Sequence, residues 1–396
     1  MQIRNGFVYL SLLLFLLPFS TIKGQEKIQL DTSECIRKKG NIKQIYYKNG
    51  SEKRSEPNNQ PDFTLFLLGD VGNPHCAKPV NSHFYTNLLE NETKSAVLFL
   101  GDNVYPNGIP YKSGKKKEIA KAKLEIHLNG LVDYSHRTYF LGGNHDYHKI
   151  FKSPKRILAQ QELISSFNQK SKGEIAYRPL NQGGDMVELI ELDPRIGLIV
   201  MDSEWAIKKI NKRKKIQKLF REPLRNALKQ SEKYVYLIIA AHHPMYTVGD
   251  HGHEKLFVAS QDLHRKKYRK FINEIVPNLP SGVKVIYAAG HDHSIQYIKL
   301  DEFAQIISGS GSKSNHIIES NIPSDSLSIA LKNRLADEKL MGKRSRFETA
   351  LNNLEFATNY KGYVQLEFYN NDYGGVWMKV MALEDDVKQV YSNRLF

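Results

Sequence analysis

Seven polar side chains stand just beyond apolar runs and share one kind of chemistry. Asp70 follows Phe63–Leu68 through a glycine, and Asp102 follows Val97–Leu100 in the same way. Asn144 follows Thr138–Leu141, His242 follows Tyr234–Ala241, and His291 and His293 follow Val283–Ala289. Tyr105 comes three residues after Asp102, in the stretch LGDNVYPNG. Carboxylate, amide oxygen, phenol and imidazole, without thiolate, suit hard or borderline ions such as iron, manganese or zinc. Seven donors are too many for one tetrahedral ion. With one carboxylate shared they suit two ions roughly 3.5–4 Å apart, a pair that activates water and clamps phosphoryl oxygens. Each signal is weak alone, because Gly-Asp is ordinary turn chemistry. Five together, each at the end of a strand-like run, are specific.

The elements that must position these donors are short and apolar. The runs just named, and Ile196–Met201, have the length and β-branched or aromatic content of buried strands. Helical stretches lie between several of them: Lys115–Leu131, and Ile207–Ser231 with a break at Pro223. Alternation of strand and helix predicts α/β layers with central sheets buried by helices. In such sheets the carboxyl ends of the strands form the ligand-binding edge, and glycine lets the backbone turn there and approach a ligand closely. Beyond residue 290 the pattern is β-rich, at Ile295–Leu300, Phe303–Ser308, Gly362–Tyr369 and Val376–Ala382. Residues 312–360, with a turn-like NIPSDS and a charged helical stretch, interrupt these strands as an insertion or lid. Residues 25–60 form a polar N-terminal extension with one strand at Ile42–Tyr47.

The composition, 41% hydrophobic and 25% charged over 396 residues, is that of a globular chain and excludes collagen, coiled coil and wholesale disorder. Arg4, the apolar core Phe7–Phe19 and a cut near Gly24 or Gln25 predict a signal peptide over residues 1–24 and export to the periplasm or medium. No later segment is long and apolar enough to span a membrane. The net charge of +15 becomes +13 when Arg4 and Lys23 leave with residues 1–24. The charge is clustered at Lys115–Lys117, in KKINKRKK (208–215) and in HRKKYRK (264–270). Without a nucleic-acid motif these are expected to be solvated helix faces, with no specific nucleic-acid binding. Cys35 and Cys76 are the two cysteines. An oxidising compartment permits a bridge between them, and the sequence leaves open whether it forms. It also leaves the oligomeric state open.

The series GDVG, GDNVY, GNHD, AHHP and GHDH resembles the calcineurin-like metallophosphoesterase superfamily. Within it the pattern is most similar to the small, tartrate-resistant type of purple acid phosphatase, from about Phe63 to Gly311. The resemblance implies a four-layer α-β-β-α sandwich over residues 61–396 with the dimetal site at the strand C-terminal ends. It implies Asp70, Tyr105 and His293 on a ferric ion. Asn144, His242 and His291 would bind a divalent ion (iron, zinc or manganese), with Asp102 as the bridge. Most of the superfamily begins Asp-x-His; here that position is Gly72, and Tyr105 fills the missing ligand place. His75 is a rival donor whose spacing fits no known pattern. His145 and His251 would contact substrate phosphate and serve as acid–base candidates, with Asp146 and Asp250 beside them, and Asn144 and His243 would also border the substrate. His243, in place of an aromatic residue, and an extra His253 are departures from the pattern. The implied activity is hydrolysis of phosphate monoesters by attack of a metal-bound hydroxide, with an acidic to neutral optimum. A phosphodiesterase or nucleotidase is the alternative, and a catalytically silent polyanion-binding surface protein is the alternative of another class.

Overall fold

The computed structural model describes residues 30, 35, 42–48, 56–148, 153–180, 184–252, 265–318, 321–340, 346–370 and 375–396. The expected signal peptide, most of the 25–60 extension and His253 lie outside the described residues. The strands are β1 (Ile45–Tyr47), β2 (Phe63–Leu68), β3 (Ser95–Phe99), β4 (Arg137–Phe140), β5 (Ile175–Tyr177), β6 (Val187–Asp193), β7 (Ile196–Met201), β8 (Tyr236–Ala240), β9 (Lys284–Ala289), β10 (Ile295–Lys299), β11 (Ala304–Ser308), β12 (Leu354–Thr358), β13 (Gly362–Tyr369), β14 (Gly375–Leu383) and β15 (Val387–Arg394). The helices are α1 (Lys78–Glu90), α2 (Lys115–Leu131), α3 (Pro154–Asn168), α4 (Ser203–Lys209), α5 (Arg213–Ile216), α6 (Glu222–Ser231), α7 (Lys266–Asn273), α8 (Leu327–Leu340) and α9 (Arg346–Asn352).

Two mixed sheets face each other. One has the order β15-β14-β13-β2-β3-β4-β5 and the other β1-β12-β10-β11-β9-β8-β7-β6. Strands β2 to β5 run parallel, as do β7, β8, β9 and β11, while the outer strands join antiparallel. Every residue of β2, FTLFLL, is buried, because both faces of the strand are covered. Leu65 and Leu67 pack between the sheets with Leu98, Leu198 and Ile238. Phe66 and Leu68 point the other way, into helix-covered layers with Phe84, Phe99 and Leu124. Continuous apolar runs rather than alternating ones are what a sheet buried on both faces requires. The result is the four-layer α-β-β-α sandwich.

The chain departs from expectation at residues 207–231. It does not break at Pro223. The interruption lies at Ile210–Lys212, after α4, and a π-helical turn at Gln217–Arg221 leads into α6. Pro223 lies inside a helical run continuous from Arg213, two residues past the π-helical turn, where the altered hydrogen-bond register accommodates the proline. Within residues 312–360, β12 joins the sheet between β1 and β10. Leu327, Leu331 and Phe347 bury against Val248 and Ile298, so the segment backs the loop that carries His251. Cys35 and Cys76 form a disulfide, with Cα atoms 4.9 Å apart. No helix among the described residues is long and apolar enough to cross a membrane.

His127, fully buried on α2, ties that helix to the loop after β2. Its Nε2–H donates to the Val71 carbonyl (3.1 Å) and its Nδ1 accepts from the Tyr85 hydroxyl (2.7 Å). Burial lowers its pKa from 6.5 to about 4. The unfolded chain therefore binds the extra proton first. The stability His127 contributes is complete above pH 6.5 and is lost as the pH falls towards 4, an amount of about 3 kcal/mol. Urea unfolding at pH 7 and pH 4.5 should show a smaller acid-induced loss in His127→Gln than in the native chain. Equal losses would refute this role.

Candidate metal centre

The five donor-bearing loops leave adjacent strands of the two sheets. β2, β3 and β4 are neighbours in one sheet and deliver Asp70, Asp102 and Asn144. β8 and β9 are neighbours in the other and deliver His242, His291 and His293. The turns are tight. Asp70, Asp102 and His291 have φ of 59°, 54° and 69°, the left-handed region that non-glycine residues seldom occupy. Three of the four described non-glycine residues with positive φ are thus expected ligands, and backbone strain of this kind collects at functional sites.

The donors fall into two groups. In the first, the Tyr105 hydroxyl donates to Asp70 Oδ1 (2.7 Å) and lies 3.1 Å from His293 Nε2, which is 3.3 Å from the same Asp70 oxygen. In the second, Asn144 Oδ1 is 3.0 Å from His242 Nε2 and 3.2 Å from His291 Nδ1, and those two nitrogens are 3.2 Å apart. Asp102 stands between the groups. Its Oδ1 is 3.4 Å from His242 Nε2, and single ligand atoms of Asp70, Asp102 and His242 all lie within 4.8 Å of one another. His242 Nδ1–H donates to the Leu100 carbonyl (2.8 Å), which leaves Nε2 as its ligand atom.

This donor set fits metal ions. Asp70 and Asp102 are buried, and the ion-pair partners shown for them among the described residues are imidazoles alone. Burial opposes their ionisation. Even so, His293 and His242 hold Asp70 below the usual carboxylate range, and His242 and His145 hold Asp102 well below it. Tyr105 is pushed the other way, well above an ordinary phenol, by burial and by Asp102 and Asp70. Two buried carboxylates facing a protonated phenol make a site that a multivalent cation would compensate.

Around the donors, His145 gives its backbone N–H to Asp102 Oδ1 (2.8 Å). Its Nδ1 lies 2.5 Å from the Pro106 carbonyl, so the hydrogen is on Nδ1, and Nε2 sits 4.0 Å from Asp102 Oδ2. The His251 ring packs against His291 at a tilt of 40°, centroids 3.9 Å apart. Asp146 accepts the backbone N–H groups of Gly143, Asn103 and Val104, at 2.8 to 3.1 Å. It clamps the Asp102 loop to the Asn144 loop rather than charging His145, and burial and Asp102 push its pKa up to about 7. Asp292 likewise accepts from Thr247 Oγ1 (2.5 Å) and fixes the loop before His251.

Two placements, of His243 and Lys313, differ from what the sequence suggests, and His75 falls outside the site as its spacing implies. His243, expected at the substrate, is 3% exposed. It lies against His291, with Nδ1 2.9 Å from Ser203 Oγ and Nε2 3.7 Å from Glu204. It therefore supports the site from behind. His75 sits beside the Cys35–Cys76 bridge, outside the two donor groups. Lys313, which the sequence reading passed over, has Nζ 3.2 Å from the centroid of the Tyr105 ring. Ser312 holds it there by giving its N–H (3.0 Å) and hydroxyl (2.6 Å) to the Asp70 carbonyl. The available signal was a fifth glycine-punctuated strand end, GSGSK after β11.

Comparison with known proteins agrees with this geometry. A family model described as calcineurin-like phosphoesterase matches residues 54–294. No curated protein sequence matches the chain. Among solved structures, GAP50, the anchor in the inner membrane complex of Plasmodium, is similar with a TM-score of 0.53. Its identity is 14%, over 85% of this chain and 89% of that one. The structure of PhoD is similar with a TM-score of 0.43 and 12% identity, over 86% and 74% of the respective chains. The GAP50 likeness supports the fold and nothing beyond it.

Proposed function

The chain belongs to the calcineurin-like phosphoesterase family, and from that premise we propose that it is an exported acid phosphatase that hydrolyses phosphate monoesters at a ferric–divalent dimetal centre. The observation that carries this reading is the division of the six other donors into two groups of three on either side of Asp102. Asp70, Tyr105 and His293 would hold the ferric ion, and Asn144, His242 and His291 a divalent iron, zinc or manganese ion. When bound, the pair supplies charge neutralisation for the phosphoryl oxygens and a water of lowered pKa as nucleophile.

The protein's own groups complete the chemistry. His145 Nε2 and the His251 ring border the donors. They can hydrogen-bond the phosphate, and in the acidic range, where His145 takes up a second proton on Nε2, that Nε2–H can pass to the departing alkoxide oxygen. Asp146 and Asp292 keep the loops of these histidines in register with the donors. The Lys313 ammonium, beside Tyr105 and close enough to His145 to help burial lower its pKa, adds positive charge where an anionic ester enters.

The test compares metal-replete protein on mono- and bis-nitrophenyl phosphate. A preference for the monoester, abolished by chelation, is expected; a clear preference for the diester would favour the phosphodiesterase alternative. Lys313→Met should raise KM for the monoester about tenfold, roughly 1.4 kcal/mol, while changing kcat less than threefold. An unchanged KM would remove Lys313 from substrate binding.

A further inference from the structure

The two long basic clusters are separated by about fifty residues in sequence, yet the fold brings them to one face. Residues 205–221 contain eight lysines and arginines and no acid, and residues 265–270 contain five and no acid. Helices α4 and α7 pack together, and between their basic ends lies an open groove of about 610 Å³. Arg213 and Lys214 line it from α5, Arg221 from the π-helical turn and Lys270 from α7. Among the described residues Glu274 is the one acidic residue lining it, and it is engaged by the Arg221 guanidinium at 2.9 and 2.6 Å. Lys270 Nζ donates to Asn211 Oδ1 (2.8 Å), which joins the two segments across the groove. The π-turn is a second, independent feature, since such turns occur frequently at functional sites.

We infer that this groove is a docking site for a linear phosphate polymer, inorganic polyphosphate being the occupant it fits. A bilayer fits poorly. Of the apolar residues of these segments, Ile210, Ile216, Phe220, Tyr268, Phe271 and Ile272 are buried and Ile207 and Leu219 are partly buried against the core, and no large exposed apolar side chain of the described residues lies on this face. Single-stranded nucleic acid fits poorly for a related reason, because among the described residues no exposed aromatic ring lines the groove for a base to stack on. A duplex would touch one rim, whereas these cations line the groove from two helices. What the face offers is dense positive charge, and that matches the polyanion with the highest charge per length and no ring to recognise. The groove is separate from the metal donors. It shares scaffolding with them, since α4 begins beside His243 at Ser203 and Tyr268 of α7 lies against the His243 ring.

The test measures binding of fluorescently labelled polyphosphate to the full chain by anisotropy, with chelator and with metal. The groove variant combines Arg213→Glu, Lys214→Glu and Lys270→Glu, all at exposed positions. A control with the same change in net charge combines Lys112→Glu, Lys115→Glu and Lys116→Glu, also exposed. The groove variant is expected to bind at least about tenfold more weakly, and the slope of log affinity against log salt should fall by about two, at roughly 0.7 per lost contact. The control should change less than twofold, and chelator should have no effect. Monoester turnover of the groove variant should stay at the native level, so the outcome is independent of the phosphatase reading. A neutralising triple to glutamine guards against misfolding by charge reversal and should weaken binding in the same direction. Equal losses in groove variant and control would reduce the effect to net charge and overturn the proposal. Tighter binding of duplex DNA or of phosphatidylglycerol vesicles than of polyphosphate would overturn it as well.

Discussion

Asp102→Asn is expected to lower monoester turnover by about 10³-fold or more, several kcal/mol of transition-state stabilisation, and to reduce the bound metal measured by elemental analysis. Asparagine has nearly the shape of aspartate, so the change removes charge and little else. Space is no objection: a Cβ on Gly143 would lie 2.2 Å from Asp102 Oδ1, so the carboxylate occupies room that only glycine leaves open. The backbone is no objection either, since asparagine tolerates the φ of 54° at this position better than most residues. Asp102→Ala makes the contrast. It loses the same charge and adds about 1–2 kcal/mol of backbone strain, so it should melt earlier than Asp102→Asn while showing a similar loss of activity. Asp102 alone stands between the two donor groups and also receives the His145 N–H, so one substitution should weaken both metal places and loosen an acid–base candidate. An Asp102→Asn protein with full metal content and turnover within tenfold of native would show that the bridge is elsewhere.

Tyr105→Phe is the second large effect, and its clearest reading is spectroscopic. Iron-loaded native protein should absorb visible light through phenolate-to-ferric charge transfer. The variant should be colourless, with metal affinity reduced roughly 10–100-fold or more, by comparison with losses at supporting residues. The ring is fixed on all sides. Gly72 has no side chain, and a Cβ there would lie 2.5 Å from the Tyr105 nitrogen and 2.8 Å from its ring. Lys313 covers one face and His145 packs edge-on, with centroids 4.7 Å apart. Burial, Asp102 and Asp70 hold the phenol protonated, so only a strongly charged ion at the oxygen would favour the phenolate. In metal-free protein the same variant removes a buried donor to Asp70 and should cost about 1–3 kcal/mol in denaturant unfolding. A colourless native protein containing iron would remove the ferric assignment and leave the family membership intact.

Much of the sheet core was legible because buried parallel strands are continuous apolar runs. Ile196–Met201, Gly362–Tyr369 and Lys115–Leu131 have the bounds the sequence suggested. Strands with polar faces were not legible. Val187–Asp193 (VELIELD) and Val387–Arg394 (VKQVYSNR) are edge strands with a partly exposed side, and their strand character comes from pairing with the one neighbouring strand across a short turn. Helix α1 escaped notice because Pro79 and a run of Asn, Ser and His dilute its apolar face, and the aromatic contacts of Phe84 with Phe66 and Tyr363 supply its packing. The break in 207–231 falls at Ile210–Lys212 rather than at Pro223, because a π-helical turn accommodates the proline inside the helix and residue types alone do not mark such a turn.

The sequence by itself determined the chemistry: which donor types exist, that each follows a buried strand, and that glycines let the chain turn there. Those are local properties of residue type and spacing. Only the tertiary structure decided who meets whom. It brings into contact the Tyr105, Asp70 and His293 that the family resemblance groups, with Asp102 beside both groups, and it alone turned His243 behind them and brought Lys313 over the tyrosine. It also closed Cys35 onto Cys76 and joined two basic segments into one groove. These pairings depend on which strands are neighbours in two facing sheets and on how their loops pack. Such contacts join residues tens to hundreds of positions apart, so no local window of the sequence contains them.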